Sequence, residues 1–257
     1  MSAKIYYIPG SAPCNAVFKA ADLKGIDYKK VVVLPPVHRL QMILMFGGRT
    51  VPAMKLADAS EAVEKVQGSR AIIRTLDSLK PEPPLFPGDP DQRGRVTAAE
   101  TWADGDFQDI GRRLIWAHLT RSPDSMLSYG ANDRMPLPAF MLKAGAKPVA
   151  WVQSKLNNAD DASVKADLAK LPDLLDQVDR YIADGVIGGE APNAADLQIC
   201  SSLALLLTMD DLRPAIEDRP CGELTARLFP PGSGRIEGDV LPADWLAPLR
   251  GEEPVAV

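Results

Sequence analysis

Between Lys80 and Gly94 the chain reads KPEPPLFPGDPDQRG, and five prolines so closely spaced can continue neither a helix interior nor a central strand. This stretch divides the sequence. Upstream, short strand patterns alternate with helical ones; downstream, nearly everything has helical periodicity. At 257 residues the chain is long enough for two ordinary domains, each with a sizeable core. The expected organisation is an α/β domain over 1–80, a linker over 81–94, an all-helical domain over 95–228 and an irregular tail over 229–257.

The upstream part opens with a short aromatic and β-branched strand from Lys4 to Ile8, closed by Pro9-Gly10. Cys14, Val17, Phe18 and Ala21 then recur at helical spacing, with Pro13 suited to a first turn and Gly25 to the position beyond the end. Val31, Val32 and Val33 centre a strand from Tyr28 to Leu34, expected to be buried on both faces. An irregular apolar helix from Arg39 to Phe46, strands at Pro52–Leu56 and near Glu61–Val66, and a helix from Ser69 with an Ile72, Leu76, Leu79 stripe complete a βαβ-α-ββα order.

Downstream, Trp102, Phe107, Ile110 and Leu114 mark a long helix expected to bend at Gly105 or Gly111. A second helix is expected to begin afresh at Pro172 and to stop at Gly185. A third runs from Ala194 to about Met209, apolar nearly all round and so central, with Asn193 as N-cap and Asp196 as its capping-box partner.

Composition excludes several classes of function. The formal net charge is −5, so the overall balance gives no electrostatic reason to bind nucleic acid or an anionic membrane. The opening MSAKIYYIPG lacks the apolar core of a secretory signal, and a cytoplasmic location is expected. The apolar run around Leu203–Leu207 is too short to span a bilayer. Cys14, Cys200 and Cys221 are odd in number and far apart, which favours reduced thiols over a disulfide framework. His38 and His118 have no partner at ligand spacing, and no metal is expected. The acidic cluster Asp104, Asp106, Asp109 lacks the glycine and closing glutamate of a calcium loop.

Four segments, in order, carry a family resemblance: YYIPGSAPC, whose Ser-x-Pro-Cys looks most like the theta class; Val51-Pro52-Ala53-Met54; Gln67-Gly68-Ser69-Arg70-Ala71-Ile72; and Asn193-Ala-Ala-Asp196-Leu197. Together they resemble the cytosolic glutathione S-transferases. The resemblance implies a thioredoxin-like first domain that holds glutathione, an all-α second domain, a homodimer, and transfer of the glutathione thiol to a small hydrophobic electrophile.

Ser11 stands just before the helix that holds Pro13. A hydroxyl there can donate to a sulfur that also meets the helix's positive end, or can simply cap the helix. Cys14 completes a Ser-x-x-Cys spacing. It is either a buried, inert thiol or the nucleophile of a glutathione-dependent reductase or peroxidase. By resemblance Pro52 is cis and turns the Val51 backbone toward an extended peptide, and Ser69 at a helix start takes the γ-glutamyl carboxylate. Gly68 stands where Glu or Gln is usual, with Gln67 displaced by one position. Arg39, Arg49 and Arg70 are candidates for the peptide's carboxylates. Arg112, Arg113 and Trp116 are candidates for a second-substrate wall, which Trp245 and Leu246 of the tail either cover or leave open. The alternative from another class is a non-catalytic binding module of the same fold.

Overall fold

The computed structural model describes residues 2–57 and 63–252. Strand β1 (Ser2–Tyr7) is followed by α1 (Ala12–Leu23), β2 (Tyr28–Val32), α2 (His38–Phe46), β3 (Ala53–Ala57), β4 (Val63–Gln67) and α3 (Ser69–Leu79). The sheet order is β2-β1-β3-β4, with β1 parallel to β2 and antiparallel to β3, and β3 antiparallel to β4. Glu61, the first residue of the fourth expected strand, lies outside the described residues.

Alternation along β1 sorts the two faces. Ile5 and Tyr7 join α1 and α3 in the main core, whereas Tyr6 packs with Val33, Ala53 and Met42 of α2 on the other side. The sequence reading of β2 as buried on both faces is corrected. It is an edge strand that ends at Val32, with Lys29 and Lys30 exposed and Val31 and Val32 half-buried. Central strands are buried on both faces because neighbours and covering helices surround them; here only one ladder neighbour exists.

The second domain begins with α4 (Pro90–Trp102), so the helix starts inside the stretch expected to be linker. Proline suits the first helical turn, and the Asp89 side chain accepts a hydrogen bond from Gln92 N at 2.9 Å. A π-helical turn at Ala103–Phe107 follows, then α5 (Gln108–Arg121), a 3-10 turn (Pro123–Ser125), α6 (Met126–Tyr129), α7 (Ala139–Leu156), α8 (Asp161–Ala183), α9 (Ala194–Leu206) and α10 (Pro220–Leu228). The expected distortion near Gly105 is therefore a π turn.

Helix α8 does not begin at Pro172 but runs through it. The proline removes one internal hydrogen bond, yet the buried stripe Val164, Leu168, Leu171, Leu175, Val178 holds both halves against the core. Helix α9 is central, with the expected capping box. Asn193 Oδ1 accepts from Ala195 and Asp196 backbone N–H, and Asp196 returns a bond from Asn193 N at 2.9 Å.

The tail is less irregular than its prolines and glycines imply. Ile236 forms a parallel bridge with Met209, and a 3-10 helix at Ala243–Arg250 packs on α8. Asp211 tethers the approach to it, accepting from the N–H groups of Asp239, Val240 and Leu241 at 2.7, 3.1 and 2.9 Å. The buried His118 ring lies behind, its Nε2 3.5 Å from Asp211 Oδ2. Trp245 sits beneath the Arg121 guanidinium and the Lys165 ammonium, 5.1 and 4.8 Å from its ring centroid.

Candidate functional site

A cavity of about 580 Å³ lies between the β1–α1 turn, the start of α2, the residues before β3, the first turn of α3, and helices α5 to α7. Its polar floor comes from the first domain and most of its apolar wall from the second, which is the usual make-up of a small-molecule pocket.

Ser11 is the residue before α1, with extended backbone angles φ −72° and ψ 114°, and its carbonyl accepts from Cys14 N and Asn15 N at 3.0 Å each. Its side chain makes no capping hydrogen bond, and the residue lines the cavity. The hydroxyl thus stands at a helix N-terminus without capping it, beside the Cys14 thiol. Cys14 is fully buried and outside the cavity wall. Burial pushes its thiol up to about 12, despite hydrogen bonding with Ser11 and the Ile8 backbone.

The Val51-Pro52 peptide is cis, and both residues line the cavity. Pro52 C=O accepts from Gly68 N at 2.9 Å; among the described residues, neither Val51 N–H nor its C=O has a backbone partner. Gly68 has φ +92° and ψ 140°, a conformation open to glycine, and it turns the chain from β4 into α3. Ser69, 3% exposed, opens α3 and lines the cavity. Its hydroxyl donates to Asp104 Oδ1 at 3.2 Å and accepts from Gln198 Nε2 at 2.9 Å, which joins α3 to the π turn and to α9. Gln67 lies outside the cavity wall, its amide donating to Thr50 O at 2.7 Å.

Arg39 and Arg49 line the cavity, but Arg70 does not; it donates to Thr101 Oγ1 at 2.7 Å. Arg112 and Trp116 form part of the helical wall, with Arg112 held by Asp109 at 2.7 Å and Gln108 at 2.6 Å. Arg113 faces away, bonded to Asp167 at 2.9 Å. Trp245 and Leu246 are likewise absent from the wall; the tail packs on α8.

Two residues of the cavity escaped sequence reasoning. His38 is 7% exposed, its Nδ1 has no hydrogen-bond partner among the described residues, and burial, then Arg39, pushes its pKa down to about 4. Gln153 of α7 is 3% exposed, and its Nε2 also has no such partner. An isolated His in an apolar segment and a Gln in an unrecognised helix give no pattern to find them by. Each carries a buried polar atom for which the described residues supply no partner.

Residues 5–84 match the family described as glutathione S-transferase, N-terminal domain. No curated protein matches the chain. Among solved structures, a glutathione S-transferase from Rhodospirillum rubrum F11 is similar with a TM-score of 0.60 at 18% identity, over 96% of this chain and 99% of that one. A glutathione S-transferase from Sinorhizobium meliloti 1021 gives 0.57 at 16%, over 100% and 95%. A maleylacetoacetate isomerase from Anaeromyxobacter dehalogenans 2CP-1, with bound dicarboxyethyl glutathione and citrate in its active site, gives 0.51 at 18%, over 94% and 98%. Residues 5–84 are thus similar to the N-terminal domain of glutathione S-transferases, and the chain as a whole shares the two-domain fold of these structures.

Proposed function

We propose that the protein is a glutathione-dependent enzyme that activates the tripeptide's thiol for attack on a small hydrophobic electrophile. The observation that carries this reading is the uncapped Ser11 hydroxyl at the start of α1, in one cavity with the Val51 backbone and the α3 N-terminus. A thiol with an ordinary pKa of about 8.5 is mostly protonated at neutral pH, and only its thiolate is a good nucleophile. A hydroxyl donor and the helix dipole together lower that pKa.

The peptide runs along Val51, whose N–H and C=O are open to it. Its γ-glutamyl end is a zwitterion: the carboxylate meets the free N–H groups of α3 at Ser69, and the ammonium meets Asp104 beside them. Arg39 and Arg49 suit the glycyl carboxylate. The electrophile rests against Ile115, Trp116, Leu119 and Leu142. The protein supplies orientation and electrostatic stabilisation, and sulfur attacks directly without an enzyme-bound covalent intermediate. The bound dicarboxyethyl glutathione of the Anaeromyxobacter isomerase supports glutathione as the thiol. Cys14, buried with its thiol pushed up, is poorly placed for the reductase or peroxidase chemistry. By family resemblance the same reading includes a homodimer in the cytoplasm.

The test is a glutathione titration followed by the ultraviolet absorbance of bound thiolate, on wild type and Ser11→Ala. Saturable thiolate at neutral pH, lost in the variant, is expected. Binding without thiolate would refute the role of Ser11, and no binding would leave the fold as a non-catalytic module or one for another thiol.

A further inference from the structure

Helix α2 carries apolar residues on both its inner and its outer side. Met42 and His38 are buried on the sheet side, yet on the outer side Val37 is 69%, Leu40 61% and Leu44 76% exposed. A helix of this kind on a surface implies that something covers it. The same sheet face carries a second feature, visible only in the strand register. Lys29 pairs with Lys4, Lys4 with Lys55, and Lys55 with Lys65, so one lysine from every strand forms a continuous row across the sheet. At the usual strand spacing four ammonium groups fall within about 14 Å. The lysine ion pairs among the described residues involve Lys24 and Lys143, not the row. Like charges directly opposite each other destabilise a sheet, so the row needs an anionic counterpart.

The row adjoins α2: Lys55 Nζ lies 5.7 Å from the Phe46 ring centroid and 5.8 Å from that of Tyr6. We propose that this face, led by Val37, Leu40 and Leu44 and backed by the lysine row, docks on the surface of an anionic lipid bilayer. The relief of the face favours a bilayer over other occupants. A helix resting on a sheet stands about 10 Å proud of it, so the aliphatic tips lead and the lysines, rooted in the strands beneath, follow. That is the layering of acyl chains beneath anionic headgroups, and an interfacial helix buries its apolar face to about 5–10 Å. A second copy related by a two-fold axis would bring its own lysine row against this one.

The overall charge of −5 averages this array away, which is why composition alone argues against a membrane. No described helix is long and apolar enough to cross one, so the attachment is peripheral. Leu34, Pro35, His38 and Arg39 belong to the same segment and line the cavity. Docking therefore sets the cavity mouth at a surface where hydrophobic electrophiles concentrate, a consequence that rests on the proposed function although docking itself does not.

The experiment is co-sedimentation of the full chain with phosphatidylcholine vesicles, with and without about 30% phosphatidylglycerol. Wild type is expected to bind the anionic vesicles at low salt and to be released at about 0.5 M salt. Lys29→Ala/Lys65→Ala is expected to bind about 30-fold more weakly, since each cation near such a surface is worth roughly a factor of five. Leu40→Ser/Leu44→Ser is expected to lose about tenfold or more. Lys147→Ala/Lys170→Ala, the same charge change on exposed helical-domain positions, is the control and should bind as wild type. Circular dichroism confirms that each variant is folded. Failure of wild type to bind, equal binding to neutral vesicles, or equal loss in the control pair would each overturn the proposal. Glutathione titration of the same samples reads the active site separately, so docking and the proposed activity fail independently.

Discussion

The Tyr129 ring lies so close to Gly10 that a Cβ built on the glycine would stand 2.4 Å from Tyr129 Cδ1. A Cβ on Gly234 would meet the same ring carbon at 2.4 Å, and Tyr129 Oη shares a hydrogen bond with Thr208 Oγ1 at 2.7 Å. One aromatic side chain of the helical domain thus packs on both the turn that carries Ser11 and the start of the tail.

Gly10 also has φ +78°. Gly10→Ala therefore combines left-handed backbone strain with overpacking, and is expected to destabilise the fold by about 2–4 kcal/mol. Urea unfolding measures this. Adding Tyr129→Ala should relieve part of the clash, so the double variant should lose less than the sum of the singles.

The cysteines should be inert in the folded protein. All three are buried, and burial pushes Cys14 and Cys221 up to about 12 and raises Cys200 as well. At pH 8 a thiol with a pKa near 12 is about one part in ten thousand thiolate. A disulfide-exchange dye should detect no thiol in native protein over minutes and all of them in denaturant. Rapid native reaction at Cys14 would restore the reductase reading.

How far the sequence carried the fold follows from where the signals are local. The α3 start at Ser69 and the Asn193–Asp196 capping box were legible because caps and stripes span a few residues. Pro172 misled because tertiary packing overrode a local rule, and the edge position of β2 depends on strand order, which no single strand encodes. Ser11, the cis Val51-Pro52 peptide and Ser69 do converge on one cavity, while Gln67 and Arg70 face elsewhere. Contacts such as Tyr7 Oη with Asp133, 126 positions apart, leave no trace in local pattern.

Removal of the Asp211 carboxylate should free the tail. Asp211→Ala leaves the three N–H groups of 239–241 without their acceptor and is expected to destabilise by about 3 kcal/mol. Trp245 fluorescence should shift to the red and proteolysis should begin near residue 239. Burial would raise the Asp211 pKa, but the neighbouring His118 ring and hydrogen bonds from the tail backbone outweigh it and hold the carboxyl below its usual value. This stabilisation is thus complete above about pH 4 and is lost as the pH falls below it.

His38 acts in a different window. Folding favours its neutral ring, because the folded pKa is pushed down to about 4. Its contribution is complete above about pH 6.5 and declines as the pH falls toward 4, by up to roughly 3 kcal/mol. Wild type should therefore lose more stability than His38→Gln between pH 7 and pH 5 in urea unfolding. Parallel curves would remove His38 as the cause.

The π turn at Ala103–Phe107 sets the angular phase of everything beyond it. Asp104, Gln108, Arg112, Ile115 and Leu119 reach the cavity as one wall, because one surplus residue in that turn dials α5 to the right azimuth. Each residue of an α-helix advances the direction of its side chains by about 100°. A single deletion within Ala103–Phe107 that restored plain α-helix would leave every wall residue in the chain and swing it out of the cavity, so the specificity of this site is written in a residue count as much as in residue identity.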